Sequence, residues 1–117
     1  MAYVDGFVIA VPKANIDAYK KLAAACEPIW LEYGAIEYVE CIGDDTPFGE
    51  VTSFPRSVQA KEDEIVVFSW IVYPDKMTRD SCNAKVMEDP RLKDMMATDV
   101  FDTKRMIYGG FVPFLGK

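Results

Sequence analysis

Residues 65–73 read Ile-Val-Val-Phe-Ser-Trp-Ile-Val-Tyr, and this stretch decides the fold. Eight of its nine residues are apolar or aromatic, and most are of the β-branched or aromatic types that pack well on a pleated surface. Because apolar and polar residues do not alternate, the stretch predicts a strand that is covered on both faces. Helices of the same chain can cover one face, and the other face requires a second cover.

The first strand is predicted over residues 3–11, and its two faces differ in bulk. Its odd positions are large, whereas its even positions carry Val4, Gly6, Val8 and Ala10. Small residues allow close approach of a neighbouring element, so we expect the even face to contact the helices. Pro12 is expected to end the pairing because proline lacks a backbone N–H.

A long helix is predicted over residues 16–33. Apolar residues recur there at three- and four-residue steps, which is typical of one buried stripe. Asn15 is expected to cap the helix, and Gly34 to end it in a left-handed conformation. Pro28 predicts a kink or a short break, because proline crowds the preceding turn.

The second strand is predicted over residues 35–42, at an edge of the sheet. Glu37 and Glu40 have opposite parity, so each face carries one acid, which suits an edge strand. Residues 43–64 lack a clear period and predict a packed surface loop or a functional one, with room for a short strand within residues 51–60.

The second half repeats the pattern of strand, helix and strand. Asp75 is expected to cap a second helix that stops at Asp89-Pro90, and a short apolar turn should follow from Pro90. The last strand is predicted over residues 104–112. Gly109-Gly110 within it indicates a bulge or a close approach of another group to the backbone.

The element order therefore predicts a ferredoxin-like α+β sandwich, βαββαβ, forming a single domain over residues 1–117. Its helices would lie on one face of an antiparallel sheet. The other face would leave a large apolar surface in a monomer, and such surfaces normally mark association sites. We therefore expect a symmetric homodimer through the sheet face.

Composition argues against several classes of partner. Half of the 117 residues are hydrophobic, and 13 Lys and Arg stand against 19 Asp and Glu, for a net charge of −6. That balance disfavours nucleic acid and an anionic membrane surface as partners. No apolar run approaches the roughly 20 residues of a membrane span. Without a basic N-terminal leader, the expected location is the cytoplasm.

The cysteines of the chain and its lack of histidine disfavour a metal or a cofactor. Cys26, Cys41 and Cys82 are widely spaced, without a Cys-x-x-Cys pair, and the chain contains no histidine. A disulfide framework or a zinc site is therefore not expected, and we predict three small, buried residues in a reducing compartment.

Several segments resemble the DUF1428 family of small bacterial proteins, and they span nearly the whole chain in order. They are Tyr3-Val4-Asp5-Gly6-Phe7-Val8, Ala10-Val11-Pro12, Val39-Glu40-Cys41, Val66-Val67-Phe68-Ser69-Trp70, Tyr73-Pro74, Asp89-Pro90-Arg91 and Lys104-Arg105-Met106-Ile107-Tyr108-Gly109-Gly110-Phe111.

The resemblance implies a dimeric α/β-barrel fold and brings no established activity or catalytic residues. The wider dimeric α/β-barrel group includes cofactor-free monooxygenases, haem-degrading enzymes and muconolactone isomerases, which are analogies at the level of the fold. Because this chain lacks histidine, the usual haem ligand is missing, and no cofactor is expected.

Asp5 and Arg105 are the candidate catalytic residues. A carboxylate on the apolar first strand would be desolvated, which suits a general acid or base. Alternatively, Asp5 could be bonded to a neighbouring chain or a partner backbone, or lie at a wet strand end. Arg105 could hold a substrate carboxylate or form an ordinary salt bridge. Arg79 and Asn83, one turn apart on the second helix, are expected to face solvent or a pocket mouth.

Four aromatic side chains of the strands are the candidate ligand-binding residues: Phe7, Trp70, Tyr73 and Tyr108. They could line a pocket between sheet and helices for a small apolar or aromatic ligand, or they could fill the core or an interface. Two functions follow as hypotheses. The first is a small-molecule binder or cofactor-free enzyme, and the second is a non-catalytic homodimeric protein-interaction module.

Overall fold

The computed structural model describes residues 2–96 and 99–116. Within these residues, four strands and four α-helices follow one another in the order β1 (Tyr3–Pro12), α1 (Ile16–Glu32), β2 (Glu37–Ile42), α2 (Phe54–Ser57), β3 (Glu64–Tyr73), α3 (Lys76–Glu88), α4 (Pro90–Met96) and β4 (Ile107–Phe111). Short 3-10 turns at Lys13–Asn15 and Thr103–Arg105 precede α1 and β4.

The strands form an antiparallel sheet in the order β2-β3-β1-β4. β3 is a central strand and β2 an edge strand, as predicted. The predicted ferredoxin-like α+β fold is confirmed, with helices packed on one side of the sheet. The sheet of the described chain is open: β2 and β4 are its edges, and it does not close into a barrel.

The register divides the strand residues between two faces. Residues paired across the sheet point to the same side. The side opposite α1, here called the open face, therefore follows from the pairing of Gly6 with Trp70 and Gly109. Its members are Val4, Gly6, Val8, Ala10, Glu37, Val39, Cys41, Val66, Phe68, Trp70, Val72, Ile107, Gly109 and Phe111.

The prediction that the even face of β1 contacts the helices is wrong. Phe7, Ile9 and Val11, all at odd positions, pack with the helices, whereas Val8 and Ala10 lie on the open face. The reason is volume: α1 lies above the sheet, and bulky side chains fill the layer between them. The small even positions instead accept close neighbours on the open side, since a Cβ at Gly6 would lie 3.7 Å from the Phe111 ring.

Part of the open face is covered by the segment between β2 and β3. The short strand predicted within residues 51–60 is absent there, and the single helical turn α2 takes its place, capped by the Ser53 side chain, which accepts from the Arg56 N–H. Val58 follows α2 and is fully buried against Val8 and Val66. Other residues of the segment, such as Val51, remain exposed.

Two of the three predicted features at the ends of the long helices are confirmed. The Asp75 carboxylate caps α3 by accepting from the Thr78 N–H at 2.7 Å, and Gly34 has φ +119° beyond the end of α1. Asn15 does not cap α1: its Nδ2 donates to the Val100 carbonyl at 2.8 Å. Pro28 lies inside α1, which continues through it without a break.

The last strand is shorter than predicted. Residues 103–105 form a 3-10 turn because the Asp102 side chain accepts from the Lys104 N–H. The pairing of β4 with β1 has a regular register, and of the two options for Gly109-Gly110, the close approach is the one observed: a Cβ at Gly110 would lie 2.7 Å from Cε2 of Tyr3.

Apolar side chains remain exposed on the open face and beyond β4. They include Phe68, Ile107 and Phe111, together with Phe114 and Leu115, which are 97% and 83% exposed. Among the helices of the described residues, none combines the length and the apolar character that crossing a bilayer requires.

Candidate functional site

A groove of about 280 Å³ lies between α1 and the edge strand β2. Its walls are predominantly apolar, and its residues are Ile16, Tyr19, Lys20, Ala23, Ala24, Glu27, Tyr38, Glu40, Cys41, Ile42 and Val67. Its polar centre is the carboxyl group of Glu40.

Two phenols hold the Glu40 carboxylate. Tyr19 Oη donates to Oε1 at 2.7 Å, and Tyr38 Oη donates to Oε2 at 3.0 Å. Each carboxylate oxygen therefore receives one hydrogen bond, and a carboxylate offers about four lone-pair sites. Two acceptor sites remain for a ligand in the groove.

The site is electrostatically unusual because its carboxylate is held by neutral phenols and not by an ion pair in the described part of the chain. Burial raises the pKa of Glu40, and the hydrogen bonds from the two tyrosines partly oppose that rise. Within the parts of the chain that the structure describes, Glu40 forms no salt bridge with Lys or Arg. Burial and the nearby Glu40 charge raise the pKa of Cys26 to about 11.

Local sequence spacing explains how the site forms. The alternation of β2 places Tyr38, Glu40 and Ile42 on the helix side of the sheet. Tyr19 lies on the buried stripe of α1, and Ala23 follows it one turn later. The alanine leaves space beside the tyrosine, so the groove exists because a small residue follows a large one on the same face.

The Tyr38 and Tyr19 rings are supported by other aromatic rings. Trp30 packs against Tyr38 with ring centroids 6.0 Å apart, and Phe101 meets Tyr19 edge-on at 5.7 Å. These contacts hold the two hydroxyls in position to donate to Glu40.

The carboxyl group can exchange a proton or accept hydrogen bonds from a ligand. A metal centre would need several ligating groups, and across residues 2–96 and 99–116 no group of three or more His, Cys, Asp or Glu is placed to hold an ion. The polar groups of the groove are the Glu40 carboxyl group at its centre, the two phenols that donate to it, and the Lys20 and Glu27 side chains, which also line it.

Asp5 lies outside this groove and is bonded to a neighbouring element. Its buried carboxylate receives hydrogen bonds from Arg79 Nε and Nη2 at 2.9–3.1 Å. Arg79 also lies over the Tyr3 ring, 5.1 Å from its centroid. The partner of the Asp5 carboxylate is thus a side chain of the same chain, and Arg79 is engaged with the sheet instead of facing solvent.

Arg105 forms a salt-bridge network at the start of β4. It donates to Glu64 at 2.6 Å, to Asp102 at 3.0 Å and to the Gln59 carbonyl at 2.8 Å. The hydrogen bonds from Arg105 lower the pKa of Glu64 to about 2. This network joins β3, β4 and the segment after α2, and it lies apart from the groove.

The structure does not bring the four predicted aromatic residues into one pocket. Phe7 stacks on Tyr108 with centroids 6.5 Å apart, and Tyr73 is fully buried in the core. Trp70 lies on the open face, where its Nε1 donates to Glu37 at 2.8 Å. None of the four lines the groove. Ligand binding by these residues stays a prediction.

Comparison with known proteins shows the family of the chain. A family model described as "Protein of unknown function (DUF1428)" matches residues 2–103. The chain belongs to the DUF1428 family. It is also 54% identical over 111 residues to the uncharacterized protein YbaA of Escherichia coli K12, a match that covers 95% of each chain.

Solved structures with the same fold are more distant from this DUF1428 chain. A dimeric ferredoxin-like protein of unknown function from Jannaschia sp. CCS1 matches with a TM-score of 0.60 and 14% identity, covering 95% of this chain and 99% of that one. SnoaB, a cofactor-independent oxygenase from Streptomyces nogalater, matches with a TM-score of 0.56 and 14% identity, covering 99% and 98%. Both likenesses concern the fold.

Sequence reasoning missed the carboxyl group of this DUF1428 chain that lines the groove. Glu40 correctly indicates an edge strand, but its parity also places it under the helices. The signal lay in the Tyr38-x-Glu40 alternation together with Tyr19 on the buried stripe of α1. Recognising it requires knowing which face of β2 meets α1, and that depends on the tertiary packing.

Proposed function

We propose that this protein binds a small, largely apolar organic molecule between α1 and β2, with Glu40 as the group that exchanges a proton or a hydrogen bond with it. The observation that carries this proposal is that, among the described residues, Tyr19 and Tyr38 hold the Glu40 carboxyl group in a groove with predominantly apolar walls. A structural carboxylate would normally be paired with a cation or left in water.

The dimensions of the groove support a ligand of about one ring. Ligand pockets usually measure about 300–1,000 Å³, and this groove, at about 280 Å³, lies near the lower limit. Its apolar walls, including Ala23, Ile42 and Val67, would contact the body of the ligand, and Glu40 would contact its single polar group.

The same arrangement supports the enzymatic form of the proposal. A carboxyl group with a raised pKa can accept a proton from an acidic O–H, N–H or C–H group and return it later. Such chemistry needs no cofactor, and SnoaB shows that a chain of this fold can be a cofactor-independent oxygenase.

A ligand screen with a blocked groove tests the proposal. Thermal unfolding would be followed with small aromatic and aliphatic fragments for the native chain, for Ala24→Leu, which fills the groove, and for Ala25→Leu on the same helix. Ala25 is exposed and does not line the groove. A ligand present at 100 times its Kd stabilises the native state by about 2.7 kcal/mol.

The expected result is that fragments stabilise the native chain and Ala25→Leu but not Ala24→Leu. A screen without hits, or hits that Ala24→Leu leaves unchanged, would contradict the proposal. Tyr108→Ala in the same screen tests the separate prediction that the strand aromatics contact the ligand.

We further propose a symmetric homodimer in which the open faces of two copies pack together and form a barrel between them. Exposed Phe68, Ile107 and Phe111 on that face support it, as does the dimeric state of the Jannaschia protein. Phe114 and Leu115, after β4, are further exposed apolar residues that association would have to cover.

The alternative function, a non-catalytic homodimeric interaction module, is favoured by a specific feature. Phe48, Val51 and Phe54 are exposed together in the segment between β2 and β3. Such a module would capture a partner protein through this segment. If this alternative holds, replacing the three residues with serine would abolish capture of the partner protein and leave fragment binding in the groove unchanged.

The cytoplasmic location stays a prediction. A reducing compartment would keep Cys26, Cys41 and Cys82 as the free thiols seen in the structure. Cell fractionation with a tagged chain tests it, and recovery in an extracellular or membrane fraction would contradict it.

A further inference from the structure

Glu40 is paired differently from other carboxylates of the fold. Three carboxylates with buried side chains each form a salt bridge with an arginine, namely Asp5 with Arg79, Glu64 with Arg105 and Asp89 with Arg91. Glu40 departs from this pattern, since its hydrogen bonds come from two neutral phenols. Its negative charge lies beside a groove that is open to solvent, where a ligand can supply the missing cation.

We propose that the ligand of the groove is a small organic cation, a protonated amine carried on an apolar or aromatic body, whose N–H groups donate to Glu40. This inference rests on the proposed function and specifies its ligand class. A charged hydrogen bond of this kind is stronger than a neutral one, and an ammonium group brings up to three donors to the two free acceptor sites of the carboxylate.

The walls of the groove suit such a cation. The rings of Tyr19 and Tyr38 border the carboxylate, and aromatic faces attract ammonium groups. The hydroxyls of both rings donate to Glu40, so they orient the carboxylate without neutralising it. Ala23, Ile42 and Val67 offer an apolar surface for the body of the ligand.

Charges at the rim direct the amine to one end of the groove. The titratable groups around Glu40 are Tyr19, Lys20, Cys26 and Glu27 from α1 and Tyr38 from β2. Lys20 and Glu27 are seven residues apart, which is about 10 Å along a helix. An amine would avoid the end beside Lys20 and approach the end beside Glu27.

The inference predicts a specific pH dependence. A cation binds best to ionised Glu40, so its affinity should rise as pH rises through the pKa of Glu40, which burial raises. Binding should release the proton of Glu40. The affinity of a neutral ligand would not rise over that range.

Benzylamine and benzyl alcohol are matched probes for this test, because they differ in the charged group and share the ring. Binding would be measured by titration calorimetry and by NMR shifts of residues in the groove between pH 4.5 and 8. We expect benzylamine to bind about tenfold more tightly than benzyl alcohol at pH 8, with the difference shrinking at pH 4.5.

The matched variants are Glu40→Gln and Glu37→Gln, on opposite faces of the same strand. Glu40→Gln should remove the preference for benzylamine, and Glu37→Gln should retain it. If Glu40→Gln does not fold, the pH dependence of the native chain decides the question by itself.

The outcomes separate this inference from the proposed function. If benzyl alcohol binds the groove as tightly as benzylamine at pH 8, the proposal of a cationic ligand is wrong, and the groove remains a binding site. The same conclusion follows if benzylamine does not bind, while neutral fragments bind the native chain and fail to bind Ala24→Leu. Failure of every fragment and of both probes would overturn the two proposals together.

Discussion

At the scale of single residues, the environment of a carboxyl group decides its charge and role. Glu37 and Glu40 are three positions apart on one strand and have opposite parity, so one lies on the open face beside Trp70 and the other under α1 beside two tyrosines. The first is a surface acid, and the second is desolvated enough for its pKa to rise. The difference comes from which side of β2 each occupies.

Replacing Glu40 should change how stability depends on pH. Because its folded pKa is raised, protonated Glu40 contributes stability that is present below its unfolded pKa and lost as pH rises through the raised folded value. Glu40→Gln cannot ionise, so it should lose less stability than the native chain between pH 4 and 8. Urea unfolding at a series of pH values measures this.

Glu37→Gln is the control for that measurement and should follow the native curve. Parallel pH profiles for the native chain and Glu40→Gln would mean that Glu40 does not titrate differently in the folded and unfolded states.

The buried salt bridge between Asp5 and Arg79 should be important for stability. Removing one partner of a buried pair leaves a charge without compensation, which costs about 3–5 kcal/mol. Arg79→Met should therefore destabilise strongly, and adding Asp5→Asn should restore part of the loss. The free energy of unfolding in urea is the measurement.

Lys76→Met on the same helix is the matched control, because the Lys76–Asp80 salt bridge is exposed on both sides. Its loss should change the free energy of unfolding far less than the loss of the buried pair, because solvent screens exposed charges. Equal losses for Lys76→Met and Arg79→Met would show that burial of the Asp5 pair has no energetic consequence.

At the scale of secondary-structure elements, the packing of β4 on β1 depends on a glycine. Gly110 pairs with Asp5, and the Tyr3 ring covers the space where a side chain would project. The neighbouring Gly109 faces the other side, where a Cβ would make an ordinary contact of 3.7 Å with Phe111. Two adjacent glycines of one strand therefore differ in their tolerance of a side chain.

Gly110→Ala should destabilise the fold by about 1–3 kcal/mol, because the added methyl overlaps the ring of buried Tyr3. Gly109→Ala should be nearly neutral. Thermal unfolding of both variants tests this, and Tyr3→Leu should partly rescue Gly110→Ala. A Gly109→Ala variant as unstable as Gly110→Ala would indicate a requirement for backbone flexibility instead of space.

At the scale of the whole molecule, one side of the sheet is covered by the helices and the other only partly by α2 and Val58. The exposed apolar residues of the open face would contact water in an isolated chain. This imbalance is the physical reason for expecting two copies to associate.

Association should therefore fail when a charge is placed on the open face. Phe68→Glu should weaken the dimer by roughly 100-fold, because the carboxylate would be buried without a partner. Sedimentation equilibrium at micromolar concentration measures the change. Met77→Glu, at an 82% exposed position of α3, is the control and should remain dimeric.

Circular dichroism of Phe68→Glu should retain the native spectrum, which separates loss of association from loss of fold. A native chain that sediments as a monomer, or a dimer that Phe68→Glu leaves intact, would contradict association through this face.

The element order, the central position of β3 and the edge position of β2 could be predicted from the sequence. Each depends on a local signal: an unbroken apolar run in β3, acids of both parities in β2, and a regular apolar stripe in α1. The cap at Asp75 and the end of α1 at Gly34 also follow from residue type. Local periodicity predicts such elements because one face of a helix or strand packs in the core while the other contacts solvent.

Only the tertiary structure decided which face of β1 meets the helices and which carboxyl groups meet partners. Tyr19 and Glu40 are 21 residues apart, and Asp5 and Arg79 are 74 apart. These long-range contacts depend on the position and orientation of the helices over the sheet, which local periodicity does not determine. The amino-acid sequence by itself determined that two layers form, and long-range packing decided what lies between them.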